Sequence, residues 1–375
     1  MNLNQLDVHH LRNISEARLK LHPGCNLIVG ENGSGKTSLL ESIYLLATGH
    51  SFRTRETNPL IHEGHSKLTV FAKLAQDETL SIQKSISGPT VVHINRKICH
   101  SSSELARFLP CQVFYQDIFN IIDAGPSIRR SLLDWGMFHV KQEYLSLWKD
   151  YRRVLKQRNA LLRLKAEPKA FIPWNKQLVA LAEQLDQFRE PYVCEWMNAF
   201  QSILAQLTDT PAAVQYFKGW GKKQGTHDLS TILNEQFASD RLRQYTQSGA
   251  HQADLLFQLE GSGKAKQLYS RGQQKIILIA LKLAQATLMP NECVFLFDDL
   301  AAELDRNHLQ RIFQYLREVK GQLILTAIDI NHLPLDELGR DYKVFTVRHG
   351  QVEEMESNEA LSYKNDYEAK IIIKG

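Results

Sequence analysis

Gly30-Glu31-Asn32-Gly33-Ser34-Gly35-Lys36-Thr37 fits the pattern G-x-x-x-x-G-K-[ST]. In it, glycines let successive backbone N–H groups turn toward a phosphate at the N-terminus of a helix. Lys36 would carry positive charge to the β- and γ-phosphates of ATP, and Thr37 would present its hydroxyl to Mg²⁺. Far along the chain, Phe295-Leu296-Phe297-Asp298-Asp299 is an apolar run that ends in two carboxylates. Asp298, at the end of a buried strand, suits the Mg²⁺ shell, and Asp299 suits a base that orients and deprotonates an attacking water. The plainer reading of Asp299 is a residue that caps or turns the strand end. Asn32-Gly33-Ser34 also fits a glycosylation acceptor, but the first ten residues read as lacking an export segment, which sets that aside.

A phosphate loop needs a strand before it and a helix after it. Cys25 to Val29 is a short apolar run suited to a buried strand, and Leu39, Leu40, Ile43, Tyr44, Leu46 and Ala47 repeat at helical spacing until Gly49. Leu6 and Val8, then Ala17, Leu19 and Leu21, alternate as strands, with turn residues from Asn13 to Glu16. Leu68 to Ile98 reads as an antiparallel sheet, broken by turns at Gln76-Asp77-Glu78 and Ser87-Gly88-Pro89. From Arg129 to Leu207 apolar residues recur every three or four positions. Ala166-Glu167-Pro168 interrupts them, which predicts a helical hairpin with arms of about 35–45 Å at 1.5 Å per residue. Pro173 suits a first helical turn, and Pro191 should kink or shorten the second arm. Lys218 to Gly225 reads as a loop. An α/β pattern then returns: a helix over Gln273–Leu288, a strand over Val294–Phe297, a helix over Asn307–Val319, and strands over Leu323–Thr326 and Tyr342–Val347.

At 375 residues there is room for two domains, and a net charge of +4 permits nucleic-acid binding without calling for it. Five scattered cysteines with no C-x-x-C pair argue against a disulfide framework or zinc site and for a reducing cytosol. The longest apolar stretch, from Ile276, is interrupted by Lys282 and is too short for a bilayer. A cytoplasmic protein with no membrane partner is expected. Lys149, Arg152, Arg153, Lys156, Arg158, Arg163 and Lys165 lie on the first helical arm, with only Asp150 opposing them. Such a row can neutralise DNA phosphates, although a charge run is more often a solvated helix face. Lys218, Lys222 and Lys223 with Trp220 form a second candidate patch, and Arg53, Arg55, Arg129 and Arg130 a third.

Ser270-Arg271-Gly272-Gln273-Gln274-Lys275 is similar to the signature motif of the ABC-type ATPase superfamily. There the serine and glycine contact the γ-phosphate of ATP bound to the other protomer. Taken alone, S-x-G-Q reads as a helix start with Ser270 as its cap. Asp305, in Ala302-Glu303-Leu304-Asp305, stands where that superfamily has its D-loop. More narrowly, the chain resembles the RecF family of bacterial recombination-mediator ATPases, almost from end to end. The likeness rests on Leu11-Arg12-Asn13, Leu39 to Tyr44, Gly49 to Thr54, Gly125-Pro126-Ser127-Ile128-Arg129-Arg130 with Leu133-Asp134, and the two acidic motifs near the C-terminal end. Three departures stand out: Gln116-Asp117 replaces a usual Pro-Glu pair, Thr326-Ala327 stands where the superfamily has a switch histidine, and Asp299 replaces the glutamate usual in ABC transporters.

The resemblance implies an α/β P-loop NTPase of ABC-ATPase head type: a mixed sheet with flanking helices, an antiparallel β subdomain, and a mainly α-helical second lobe. The ATPase part is expected at 1–125 and 246–375, and the helical lobe at 126–245. Arg12, Asn13, Ser270, Gly272, Gln273 and Asp305 would join the phosphate loop in binding nucleotide, and Gln116 would join Thr37 and Asp298 at Mg²⁺. Lys149, Arg152, Arg153 and Lys156 are the candidate DNA contacts. The implied activity is slow, DNA-stimulated ATP hydrolysis in an ATP-dependent homodimer that binds single-stranded, duplex and gapped DNA. RecR, RecO and RecA are the implied partners, in DNA repair, replication and the SOS response. An ABC transporter subunit would have far fewer residues between loop and signature, and a Rad50-type head would need a much longer heptad array. A scaffold that binds ATP without hydrolysing it is the rival of a different class.

Overall fold

Alternating apolar residues build the first sheet of the computed structural model, which describes residues 2–115, 122, 125–221, 228–258 and 269–355. β1 (Leu3–Leu11), β2 (Ile14–Lys20), β4 (Lys67–Leu74), β5 (Thr79–Ser85), β6 (Val91–Ile94) and β7 (Lys97–Ile98) pair antiparallel in the order β2-β1-β4-β5-β6-β7. One face is apolar: Leu6, Val8, Leu68, Val70, Ala72, Leu80 and Ile82 are buried, as a period of two requires. The first turn is tighter than the sequence predicts. Leu11 pairs with Ile14, so only Arg12 and Asn13 lie at the bend.

The second sheet holds β3 (Cys25–Val29), β8 (Cys111–Phe114), β11 (Cys293–Phe297), β12 (Gly321–Ala327), β13 (Tyr342–Arg348) and β14 (Gln351–Glu354), in the order β14-β13-β3-β12-β11-β8. All neighbours are parallel except β13 and β14. β3 and β11 are buried at every position, which explains the unbroken apolar sequence of β11; the polar Asn26 in β3 is satisfied by His22 N and His22 O. Buried Gln322 joins the two sheets: it accepts from Leu3 N and donates to Leu3 O and His22 O. Helix α1 (Lys36–Thr48) packs against strands of both sheets and ends at Gly49 in the left-handed conformation (φ 77°). α2 (Ser102–Phe108), α9 (Arg306–Glu318) and α10 (Leu335–Leu338) complete this unit, α9 burying Leu309, Ile312, Phe313 and Leu316. This is the expected mixed α/β head with its antiparallel sheet.

The chain forms two compact units, divided after residue 118 and before residue 291. The second contains α3 (Pro126–Val140), α4 (Tyr144–Arg163), α5 (Ile172–Leu207), α6 (Leu229–Glu235), α7 (Phe237–Arg243), α8 (Arg271–Thr287) and an antiparallel pair, β9 (Ala213–Phe217) with β10 (Asp254–Gln258). α4 and α5 are the expected hairpin, but its arms are unequal. At 1.5 Å per residue their 20 and 36 residues span about 30 and 54 Å. α5 runs through Pro191. The proline leaves the Gln187 carbonyl without its helical donor, and packing along α8 outweighs that single loss. Residues 246–258 and 269–290, expected with the ATPase part, pack within the helical unit instead. β10 pairs with β9, Trp196 donates to Leu281 O at 2.8 Å, and Gln285 donates to Leu132 O at 2.9 Å. Among the described residues, no helix is long and apolar enough to cross a membrane.

Among the described residues, three ion pairs made by buried arginines hold this second unit: Arg129–Asp254 at 2.7 Å, Arg158–Asp240 at 2.8 Å and Arg189–Asp134 at 2.9 Å. Arg158 is the main correction to the predicted basic face, because it is 0 % exposed. It also bonds Asn175 and Thr246, tying α4 to α5 and to the segment after α7. Asp240→Ala should therefore cost about 3–5 kcal/mol in urea unfolding by leaving Arg158 buried without a counter-charge. A loss below about 1 kcal/mol, the level of an exposed pair, would contradict the burial.

Candidate nucleotide site

Three adjacent strands, β3, β12 and β11, deliver the predicted chemistry to one end of the second sheet. The carboxyl ends of parallel strands are where open α/β sheets leave a crevice for ligands. β3 turns into the phosphate loop at Gly30, whose N–H donates to Ala327 O at 3.2 Å. Gly30 admits no side chain: a Cβ there would lie 2.4 Å from Val347 O. Gly35 has φ 124°, and its Cβ would press on the Asn13 amide at 3.2 Å.

The loop is held through its carbonyls. Asn13 donates to Gly33 O and Ser34 O at 3.0 and 2.9 Å and accepts from Ser38 Oγ at 3.1 Å. Gly350, in the β13–β14 turn, donates to Ser34 O at 2.8 Å. Arg12 sits one residue before Asn13, and its two guanidinium bonds go to Glu41 within α1, at 2.7 and 2.9 Å. Ser51 donates to the same carboxylate. Arg12 and Asn13 thus grip the helix and loop from β1.

Lys36 Nζ donates to Gly30 O and Glu31 O at 2.7 and 2.9 Å, curling over its own loop. Burial lowers its pKa, and the nearby Asp299 and Asp298 oppose that shift. Thr37 Oγ1 donates to both oxygens of Asp298, at 2.9 and 3.1 Å. Thr326 Oγ1 donates to Asp298 Oδ1 at 3.0 Å and accepts from Asp299 N at 2.8 Å. Burial pushes the Asp298 carboxyl up, and the Thr37 and Thr326 hydroxyls pull it back. Asp299 also raises it, while Arg53 lowers it. Asp299 itself has φ 48°, an uncommon conformation for a residue with a side chain.

These groups fit a nucleotide with its metal. A hydroxyl and a carboxylate in mutual contact form the oxygen donor set that a hard cation prefers. Ser34 Oγ is buried without a hydrogen-bond partner, beside the lysine that would meet phosphate. A cavity of about 630 Å³ lies along the loop, walled by residues 30–34, 328–331 and 346–349.

The other predicted residues lie elsewhere. Ser270 is exposed at the start of α8, where its side chain accepts from Gln273 N and its N–H donates to Gln273 Oε1, a complete capping box. Gln273 also donates to Thr210 Oγ1 at 3.2 Å, and Gly272 lies in the first turn. Asp305 caps α9, accepting from the N–H of His308 at 2.9 Å and pairing with His308 Nδ1 at 2.6 Å, contacts that lower its pKa. Gln116, Lys222 and Lys223 lie outside the described residues.

Lys149, Arg152, Arg153 and Lys156 are exposed on one face of α4, as predicted, with Arg163 beside them. They line a cavity of about 680 Å³ together with Arg130 and Gln252, and no carboxylate lines it. Arg153 meets Asp150 at 3.2 Å. The second candidate patch fails as an aromatic platform, because Trp220 is only 5 % exposed and Lys218 covers its ring at 4.9 Å. Arg129 leaves the third, since it is buried against Asp254. Glu41, Ser51, Gly350 and the bonding of Thr326 were not anticipated. For Thr326 the available signals were its place at the superfamily's switch position and its polarity at the close of the apolar run Leu323 to Leu325.

The family described as "RecF/RecN/SMC N terminal domain" matches residues 2–353. The chain is 35% identical to the DNA replication and repair protein RecF of Proteus mirabilis (strain HI4320), across 94% of this chain and 99% of that protein. It is 36% identical to the protein of the same name from Cellvibrio japonicus, with the same coverage. A solved structure of the recombination mediator protein RecF with ATP, in the RecFOR pathway, superposes with a TM-score of 0.79 at 23% identity, covering 95% of this chain and 98% of that one. The Pyrococcus furiosus Smc head domain with an extended coiled coil, bound to the C-terminal domain of ScpA, gives 0.57 at 16% identity, covering 98% and 99%.

Gly30→Ala should weaken binding of a fluorescent ATP analogue by roughly tenfold or more, the equivalent of ~1.4 kcal/mol. Circular dichroism should show the fold intact. Unchanged affinity would show that the loop does not need its close approach to Val347.

Proposed function

The chain belongs to the RecF family of DNA replication and repair proteins, and from that premise we propose that it is an ATP-driven DNA-binding switch. The observation that carries this reading is the meeting of Lys36, Thr37 and Asp298 at the carboxyl ends of β3 and β11, on either side of β12. The loop from Gly30 to Thr37 would hold the phosphates of ATP, with Lys36 leaving its carbonyls for the β- and γ-oxygens. Thr37 and Asp298, with Gln116, would hold Mg²⁺, which supplies charge neutralisation for the transferring phosphoryl group. Asp299 would accept the proton of the attacking water. Its carboxylate is one methylene shorter than the glutamate of ABC transporters, which favours slow turnover suited to timing.

ATP would join two copies head to head. Ser270, Gly272, Gln273 and Asp305 of one copy would complete the site begun by Lys36 of the other, giving two composite sites about a two-fold axis. The exposed helix start at Ser270 supports this, since a helix N-terminus attracts phosphate. The dimer would bind duplex, gapped and single-stranded DNA through Lys149, Arg152, Arg153 and Lys156. With RecR and RecO it would help RecA load at gaps in the cytoplasm, in support of the SOS response. Hydrolysis would then release the clamp.

The test is DNA binding in ATP and in ADP across a salt series, on duplex, gapped and single-stranded probes. ATP should strengthen binding. Changing Lys149, Arg152 and Lys156 together to Gln should lower the log–log salt slope by about 2–3, close to one per lost phosphate contact. A triple variant that tracks the wild type at every salt concentration would sink this surface. In parallel, Asp299→Asn should lower ATP turnover by about 100-fold while keeping nucleotide affinity. Equal turnover in both would remove Asp299 from the chemistry.

A further inference from the structure

We propose that Thr326 is a positioning residue for ATP hydrolysis, holding the two site carboxylates in register with the phosphate loop. The proposal rests on the nucleotide reading above and concerns a residue that would not itself touch ATP.

β12 lies between the loop strand β3 and the carboxylate strand β11. Thr326 pairs with Ile28 of β3, and the preceding Leu325 pairs with Phe297, the last residue before Asp298. The side chain therefore emerges where β11 leaves the ladder, and it is fully buried. A hydroxyl has one hydrogen and two lone pairs, and both capacities are used here. The hydrogen goes to Asp298 Oδ1 at 3.0 Å, and the oxygen accepts from Asp299 N at 2.8 Å. Phe297 O, the competing acceptor, is 3.5 Å away, at the limit of a hydrogen bond.

Each bond fixes one carboxylate. Thr37 holds Asp298 from the loop side at 2.9 Å, and Thr326 holds it from the sheet side, so the group is gripped by two hydroxyls on different elements. Asp299 is set through its backbone. At φ 48° it carries a strain of order 1 kcal/mol or more, which persists only where its surroundings fix it. Its N–H bond to Thr326 is such a restraint, and it determines where the Asp299 side chain starts. Branching at Cβ limits Thr326 to few χ1 rotamers, so the hydroxyl stays between its two partners. Valine has the same shape and serves neither; serine serves both with a looser χ1.

The test uses the full chain as wild type, Thr326→Val and Thr326→Ser, with a fluorescent ATP analogue as probe. In EDTA, Thr326→Val should bind it within about twofold of wild type, because Lys36 and the loop are untouched. The gain in affinity on adding Mg²⁺ should shrink by about fivefold or more, and kcat should fall by about tenfold at similar KM, the scale of a lost hydrogen bond to a charged group. Amide exchange across residues 298–300 should speed up in the valine variant. Thr326→Ser should recover all three quantities to within about threefold. Should the valine variant fold poorly, the serine variant decides: recovery supports the proposal, and values like those of valine overturn it. Thr326→Val matching wild type in Mg²⁺-dependent affinity, kcat and exchange would also overturn it. If the wild type shows no turnover, hydrolysis itself fails as a reading, and the affinity gain and amide exchange still decide Thr326.

Discussion

A carboxylate buried in the middle of α1 sets the terms for the nucleotide-binding unit. Glu41 is 0 % exposed, in a helix enclosed by both sheets. A helix covered on all sides should be apolar all round, and a lone charge in it would cost several kcal/mol. Arg12 and Ser51 supply the partners. Because Arg12 stands in the bend between β1 and β2, that ion pair fastens the antiparallel sheet to the loop helix. Asn13, the next residue, then fastens the loop itself. Helix, loop and first hairpin thus share one polar anchor, and the loop shape follows from it.

The second sheet repeats this logic with the opposite outcome. Asp298 is half-buried and hydrogen-bonded by two hydroxyls, with a second carboxylate adjacent and Lys36 nearby. Burial raises the cost of ionising Asp298, and the neighbouring Asp299 adds to it. A divalent cation at Thr37 and Asp298 would relieve that cost. Glu41 is satisfied from within the protein, whereas Asp298 is set up to be completed by a ligand. The helical unit follows the first pattern, with Arg158 and Arg189 fully buried in ion pairs, while the outer face of α4 carries a row of exposed cations.

Local order was legible in the sequence because it depends on neighbours along the chain. The strand-loop-helix around Lys36, the alternation in β4 and β5, and the stripe Leu309, Ile312, Phe313, Leu316 all declare themselves by period. Long-range partners do not. Arg158 illustrates the difference: it lies on the same stripe as Tyr151, Leu155 and Leu162, so its spacing marked it as buried while its charge suggested solvent. Its partner Asp240 is 82 residues away, and nothing local announces it. For the same reason Pro191 does not shorten α5, since the packing against α8 that carries the helix onward lies far along the chain. Residues 246–258 and 269–290 follow their contacts with α5 and β9 rather than their place in the chain beside Asp298 and Asp299.

We propose that nucleotide held at Lys36 in one copy recruits Ser270 of another. Multi-angle light scattering measures this directly as molar mass in ATP with Mg²⁺ against ADP with Mg²⁺. A single chain is 43.0 kDa. The expected result is close to twice that mass with ATP, and the single-chain mass with ADP and for Lys36→Ala in either nucleotide. A mass of 43.0 kDa for the wild type in both nucleotides would contradict the claim.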